Sequence, residues 1–278
     1  YGLGSCDMKG FFPLIIEALQ PLLDQPLKQP LIILATADEE SAMGGAQALV
    51  ADDLLGARHA VIGEPTGLQP IRIHKGILME RVDIIGQAGH SSDPSLGRNA
   101  IEAMHQVISE LLELRRSWQA QWHNPLFSVP TPTLNLGCIH GGDNPNRICG
   151  RCALEFDLRP LPGMQPDELR ATIAQRLQLV AEEHGVQIDY QPLFPGVAPL
   201  DTPASAEIVQ ACEQLTGYGA GSVAFATEGP YLNQLGLQTV ILGPGDIAQA
   251  HQPDEYLAMD RIEPMVRVLR GVIGRFCL

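Results

Sequence analysis

No apolar stretch in this sequence approaches the roughly 20 residues that a membrane-spanning helix requires, and no basic-apolar leader of the secretory kind opens it. Membrane insertion and export are disfavoured, so a cytoplasmic protein is expected. Positive charge is scarce: 18 Lys and Arg stand against 32 Asp and Glu, a net charge of -14. Nucleic acid and anionic lipid are therefore poor partners, because the average surface repels both. An acidic chain suits bound cations instead. Internal repeats and low-complexity tracts are absent. The six cysteines, Cys6, Cys138, Cys149, Cys152, Cys212 and Cys277, are scattered through a chain too large to need disulfide staples, which again fits a reducing compartment. Cys149-x-x-Cys152 leaves a redox or zinc reading open. Against it, residues three apart in an extended segment face opposite ways, and no second pair completes a tetrahedral site. An initiator Met is also missing. The chain opens Tyr1-Gly2-Leu3-Gly4 with no lead-in, as though in the middle of a domain.

At 278 residues and 45% hydrophobic, the chain can bury one large core or two moderate ones. Its most informative stretch is Leu31 to Glu40, LIILATADEE, an apolar run that ends in three adjacent acids. The run predicts a buried strand, and the mouth of such a strand is where open α/β sheets put their ligand sites. Three carboxylates there repel one another unless cations hold them. The alternative is a solvated turn capping a helix from Ser41.

Taken in order, the chain predicts a helix from Phe11 to Leu23 with Pro13 in its first turn and Asp7 near its N-terminus, where an acid is favourable on any reading. A small-residue helix follows over Ser41 to Leu55, then a short strand, Ala60 to Gly63, ending in Glu64. From about residue 70 the texture changes. Arg72 to Ile85 alternates like strands with one wet face. The loop GQAGHSSDPSLGRN leads to an amphipathic helix from Ala100 to about Trp122. Strands over Thr133 to Ile139 and Cys152 to Leu158, a helix over Pro166 to His184 and a strand over Val186 to Tyr190 complete an antiparallel sheet under a helix layer, which reads as an inserted domain. The α/β texture returns with a helix over Ala204 to Leu215, a strand over Thr239 to Leu242, a Gly-rich loop to His251 and a terminal helix over Asp260 to Phe276. Asp7, Glu40, Glu64 and His251 each follow a strand or a Gly-rich loop. Carboxylates mixed with imidazole suit Zn, Mn or Co better than Mg or Ca.

The segments GLGSCDMKG, TADEE, GEPT, GQAGHSSDP and GPGDIAQAHQPDEY together resemble the M20 family of di-zinc aminoacylases and peptidases, over the length of the chain and in the family's order. The resemblance implies an α/β fold: a catalytic domain with a mixed sheet flanked by helices, over 1–70 and 187–278, interrupted by an α+β lid, over 71–186, that forms a homodimer. It implies two divalent metals, Zn or possibly Co, with Asp7 bridging them. Asp7, Glu40 and His251 would hold one metal. The other would have Asp7 and Glu64 and lack the family's upstream histidine, so this chain is expected to be a fragment with one site incomplete. By the same resemblance Glu39 is the general base, His90 crosses from the partner subunit to the oxyanion, and Asn146 and Arg159 hold the substrate carboxylate. The expected substrate is a small N-acetyl amino acid. N2-acetylornithine comes first by the same resemblance. Glu228, in a loop where other members carry small residues, would recognise its δ-ammonium; the alternative is a helix-start acid before Pro230, favourable with no ligand at all. Acetylcitrulline, succinyl-diaminopimelate and a non-catalytic dimeric remnant are the alternatives. His59, His105, His123 and His184 have no motif around them; His74 and His140 stay open.

Overall fold

The computed structural model describes residues 1–52 and 56–278. In chain order its elements are α1 (Phe11–Leu19), α2 (Gly44–Asp52), β1 (His59–Ile62), β2 (Ile71–His74), β3 (Leu78–Ile85), β4 (Gly89–His90), α3 (Ala100–Gln121), β5 (Thr133–Gly141), β6 (Arg147–Ile148), β7 (Arg151–Arg159), α4 (Pro166–His184), β8 (Gln187–Pro192), β9 (Leu200–Asp201), α5 (Glu207–Thr216), β10 (Gly221–Val223), α6 (Gly229–Gln234), β11 (Gln238–Ile241) and α7 (Ile262–Phe276). They form two compact units, Tyr1–His74 with Leu200–Val223 and Thr227–Leu278, and Lys75–Pro199 with Ala224–Ala226.

The first unit is built on a mixed sheet in the order β1-β11-β2-β10, with β9 on β2. β1 runs parallel to β11, and β2 antiparallel to it. The pattern of α7 explains its place: Met265, Val266, Leu269 and Ile273 recur at helical spacing and are buried against Phe11 and Leu14 of α1 and Val209 and Cys212 of α5. Each such side chain contributes roughly 1.5–3 kcal/mol on burial. Two glycines bring the ends of β1 and β11 together. A Cβ at Gly63 would collide with the Phe11 ring, and one at Gly243 with the carbonyl oxygens of Gly63 and Glu64.

One expectation fails here. Leu31–Ala37 is not a strand, and Ile32, Ile33 and Leu34 are 46%, 47% and 36% exposed. A strand exists only through hydrogen bonds to a neighbour, and among the described residues nothing pairs with this segment, while β1 pairs only with β11. A cavity of about 640 Å³ lies between, lined by Leu31–Thr36, the β1 residues and side chains of α1 and α7. The other departures are small. The helix expected to Leu23 ends at Leu19 and continues as a 3₁₀ turn over Gln20–Leu22. The helix expected from Ser41 begins at Gly44, and its expected end at Leu55 lies outside the described residues.

The second unit is a four-stranded antiparallel sheet, β5-β7-β3-β8, with α3 and α4 against it. Asn99 caps α3, accepting from the Ile101 N–H at 3.0 Å, and Gly185 ends α4 in the left-handed conformation. Leu78, Glu80, Val82 and Ile84 of β3 are all fully buried, as period 2 requires for one face. Glu80 is tolerated there because the Arg170 guanidinium reaches it at 2.9 Å. On the opposite face Arg81 pairs with Asp83 and Glu155, and Arg151 with Asp83. The alternating stretch from Arg72 to Ile85 is thus two strands of different units, β2 in the first and β3 in the second. No helix among the described residues is long and apolar enough to cross a membrane.

Candidate metal centre and active site

The three acids that follow the apolar run part company. Asp38 adopts φ 67°, and its carboxylate receives the Ser41 hydroxyl and, at 3.3 Å, the Gly44 N–H, so it does the capping that a turn acid can do. That turn sends Glu40 outward, where its Oε2 lies 3.1 Å from His251 Nε2. Both line the cavity, but Glu39 is the half-buried one, among other carboxylates.

Asp7 stands in the loop before α1 and its Oδ2 is also 3.1 Å from His251 Nε2. Asp7, Glu40 and His251 each offer one atom within 4.8 Å of the others. Tetrahedral ligands at about 2.0–2.2 Å from a zinc ion lie about 3.3–3.6 Å apart, close to the two 3.1 Å separations at His251, so this set is of a size to hold a cation. His251 takes its position from a tight loop: Asp246 caps the 3₁₀ turn Ile247–Gln249, and His251 itself has φ 59°.

Glu64 is buried at the end of β1 and shares a hydrogen bond with Asp7. Burial, then the charges of Glu39 and Asp7, push its carboxyl well above the usual carboxylate range. Glu39 is pushed up to about 7, by burial first, then by Glu40, Glu228 and Asp7, with His251 opposing. Five carboxylates therefore press on one another around one imidazole. Such a site is at ease only with protons or cations in it.

Glu228, at the start of α6, is held by the Thr36 hydroxyl, which donates to its Oε2 at 2.7 Å. Its other oxygen is buried with no hydrogen-bond partner among the described residues. Burial pushes this carboxyl up, and the Thr36 bond works against that. Behind it, the fully buried His74 accepts from the Thr227 N–H at 3.3 Å, a structural role for a histidine that sequence left open.

In the second unit, β4 pairs with β6, His90 opposite Arg147, and the Ser91 N–H donates to the Asn146 carbonyl at 3.1 Å, so His90 and Asn146 are neighbours. The Ser92 N–H donates to His90 Nδ1 at 3.2 Å. Nδ1 is then the acceptor, and the neutral ring carries its proton on the exposed Nε2. Arg159 ends β7, its Nε donating to Asp157 Oδ1 at 2.9 Å. His140 is exposed on β5, and Cys149 and Cys152 are buried free thiols. Sequence reasoning passed over two residues of the first unit. One is Thr36, whose role depends on a partner 192 positions away. The other is Glu255, 1% exposed, whose Oε1 accepts from the Cys6 N–H at 2.8 Å and the Asp7 N–H at 3.0 Å. Its signal was an acid four residues after His251, just past Pro253.

The chain is 49% identical over 277 residues, all of this chain and 72% of the relative, to a protein named acetylornithine deacetylase from Edwardsiella ictaluri. Residues 72–185 match the M20 peptidase dimerisation domain. The chain belongs to the M20 family. A second M20 relative, the acetylornithine deacetylase of Pectobacterium carotovorum, is 46% identical over the same span and share. Among solved structures, a tripeptidase from Staphylococcus aureus superposes with a TM-score of 0.73 at 20% identity, covering 98% of this chain and 71% of that one. An M20 metallo-carboxypeptidase from Sulfolobus solfataricus gives 0.72 at 18%, over 98% and 76%. At those identities the structures speak for the fold, a catalytic domain with a dimerisation domain. Membership makes the chain one of the M20 hydrolases, a family that uses divalent metal, and the acid cluster with His251 is where the donor chemistry fits one.

Proposed function

We propose that this chain hydrolyses N2-acetyl-L-ornithine to L-ornithine and acetate, as a cytoplasmic zinc- or cobalt-dependent amidohydrolase of arginine biosynthesis. The observation that carries the reading is the convergence of Asp7, Glu39, Glu40, Glu64 and His251 in one unit, in a chain 49% identical to a protein named for that reaction. Asp7, Glu40 and His251 would hold one cation. Asp7 and Glu64 would contribute to a second, with Asp7 between the two. When bound, the cations supply Lewis acidity towards the scissile carbonyl and towards water.

The side chains do the rest. Glu39 takes the proton of the water whose oxygen attacks the acetyl carbon. When the C–N bond breaks, it returns that proton to the amine. His90, with its proton on Nε2, is the donor for the oxyanion, contributed by the partner subunit. Asn146 and Arg159 hold the α-carboxylate, for which a planar guanidinium is the natural donor. A homodimer through the second unit is supported by the matched dimerisation domain and by β5. That strand is at the edge of its sheet, with Cys138 to Gly141 exposed. Mixing His90→Ala subunits with Glu39→Gln subunits should restore part of the activity, since one hybrid site holds both groups. No recovery in verified heterodimers would count against action in trans.

Glu228 favours acetylornithine over acetylcitrulline, because a half-buried carboxylate with one unpartnered oxygen suits an ammonium. Release of ornithine by the metal-loaded protein tests the function directly. The ratio of kcat/KM for acetylornithine over acetylmethionine tests the selectivity: Glu228→Gln should lower it roughly tenfold or more. If both substrates lose equally, Glu228 serves stability alone.

A further inference from the structure

Asp7 and His251 come from loops 244 positions apart, yet their side chains meet at 3.1 Å. Glu255, in the same loop as His251, carries the connection. Between them, residues 251–254 are exposed, and the chain then turns so that Glu255 is 1% exposed. Its Oε1 takes two backbone donors at once, the N–H of Cys6 at 2.8 Å and of Asp7 at 3.0 Å. Its own carbonyl receives the Gly2 N–H at 2.8 Å and the Ser5 hydroxyl at 3.3 Å. Its other carboxylate oxygen is buried and has no hydrogen-bond partner among the described residues.

A buried carboxylate with one oxygen unpaired costs free energy that an apolar side chain would avoid. What it delivers is placement. Two charge-assisted bonds to consecutive N–H groups fix both the position and the direction of the Asp7 backbone, and with it the Asp7 carboxylate relative to the imidazole four residues before Glu255. We infer that Glu255 is a positioning residue of the metal centre, a clamp whose reach holds Asp7 against His251. The inference rests on the proposed reading of Asp7 as a metal ligand. Partners behind metal ligands typically matter about ten- to a hundredfold for affinity.

The test is zinc affinity, measured on the full chain by competition with a chromophoric chelator, with circular dichroism as a check of folding. Glu255→Ala and Glu255→Asp should each bind zinc about ten- to a hundredfold more weakly. Glu255→Gln, which keeps an oxygen within reach of both N–H groups, should lose less than either. Ser5→Ala, which removes only a bond to the Glu255 carbonyl, should bind as the unaltered protein does. The Asp and Gln variants decide the matter if Ala does not fold. Asp keeps the charge and shortens the reach; Gln keeps the reach and drops the charge. Weaker binding by Asp than by Gln supports the clamp, and the reverse order overturns it, as does a folded Glu255→Ala with unchanged affinity. Asp7→Asn separates the two layers of the argument. Zinc binding that needs Asp7 but ignores Glu255 removes the clamp alone, whereas zinc binding indifferent to Asp7 removes the reading of the cluster and the clamp with it.

Discussion

Replacing Glu39 by Gln should lower kcat between about a hundredfold and ten-thousandfold while the bound metal content stays unchanged. The expectation follows from how the two neighbouring acids separate. Glu40 lies at 3.1 Å from His251, in the group that fits a cation. Glu39 is half-buried where Glu40 is exposed, and it sits among Glu40, Glu228 and Asp7. Gln matches Glu in size and keeps one acceptor oxygen, so it removes the proton-accepting function and little else. Glu40→Gln should behave differently, losing metal and activity together. Loss of metal from the Glu39 variant, or turnover near normal, would sink the assignment of Glu39 as the base.

Stripping the metal should abolish hydrolysis and leave a site in which the contribution of Glu39 and Glu64 to stability falls as pH rises. The sign follows from the acids. In the metal-free chain Glu39 titrates at about 7 and Glu64 well above the ordinary 4.5, both chiefly through burial. A raised folded-state value means that the folded chain binds more protons than the unfolded one between about 4.5 and 7. The favourable contribution is therefore complete below 4.5 and lost as pH climbs through 7. Cations reverse the trend, because they need the carboxylates deprotonated and the imidazole neutral. The gap in Tm between zinc-loaded and chelator-treated protein should widen from pH 5 to pH 8, and comparing the two forms at each pH cancels groups away from the site. A gap that does not change with pH would contradict it, as would activity that survives verified metal loss.

Elements whose stability is local were readable from sequence. The 3–4 spacing in α3 and α7 and the period 2 of β3 express the geometry of a single segment, and the order of such segments gives an α/β chain with an inserted domain, whereas the family resemblance rests on the loop motifs from GLGSCDMKG to GPGDIAQAHQPDEY. Leu31–Thr36 shows the limit. Its composition is that of a buried strand, but strand formation depends on a partner elsewhere in the chain, and apolar character cannot supply one. The site divides in the same way. Acids at strand ends and loop starts pointed to Asp7, Glu40 and Glu64, and the Gly-rich loop to His251, whereas the different fates of Asp38, Glu39 and Glu40 depend on the left-handed backbone at Asp38. Thr36 and Glu255 act through contacts spanning 192 and 248 or more positions, which no local pattern encodes.

The open edge of β5 carries a practical consequence through Cys138. Of the six free cysteines it alone is exposed; the other five are buried. A maleimide dye should therefore attach at one known point on a sheet edge, with no engineered sulfhydryl. If that edge is where two copies join, the rate of labelling will depend on protein concentration, fast in dilute solution and slow when subunits associate. In that case the sequence contains its own reporter of assembly.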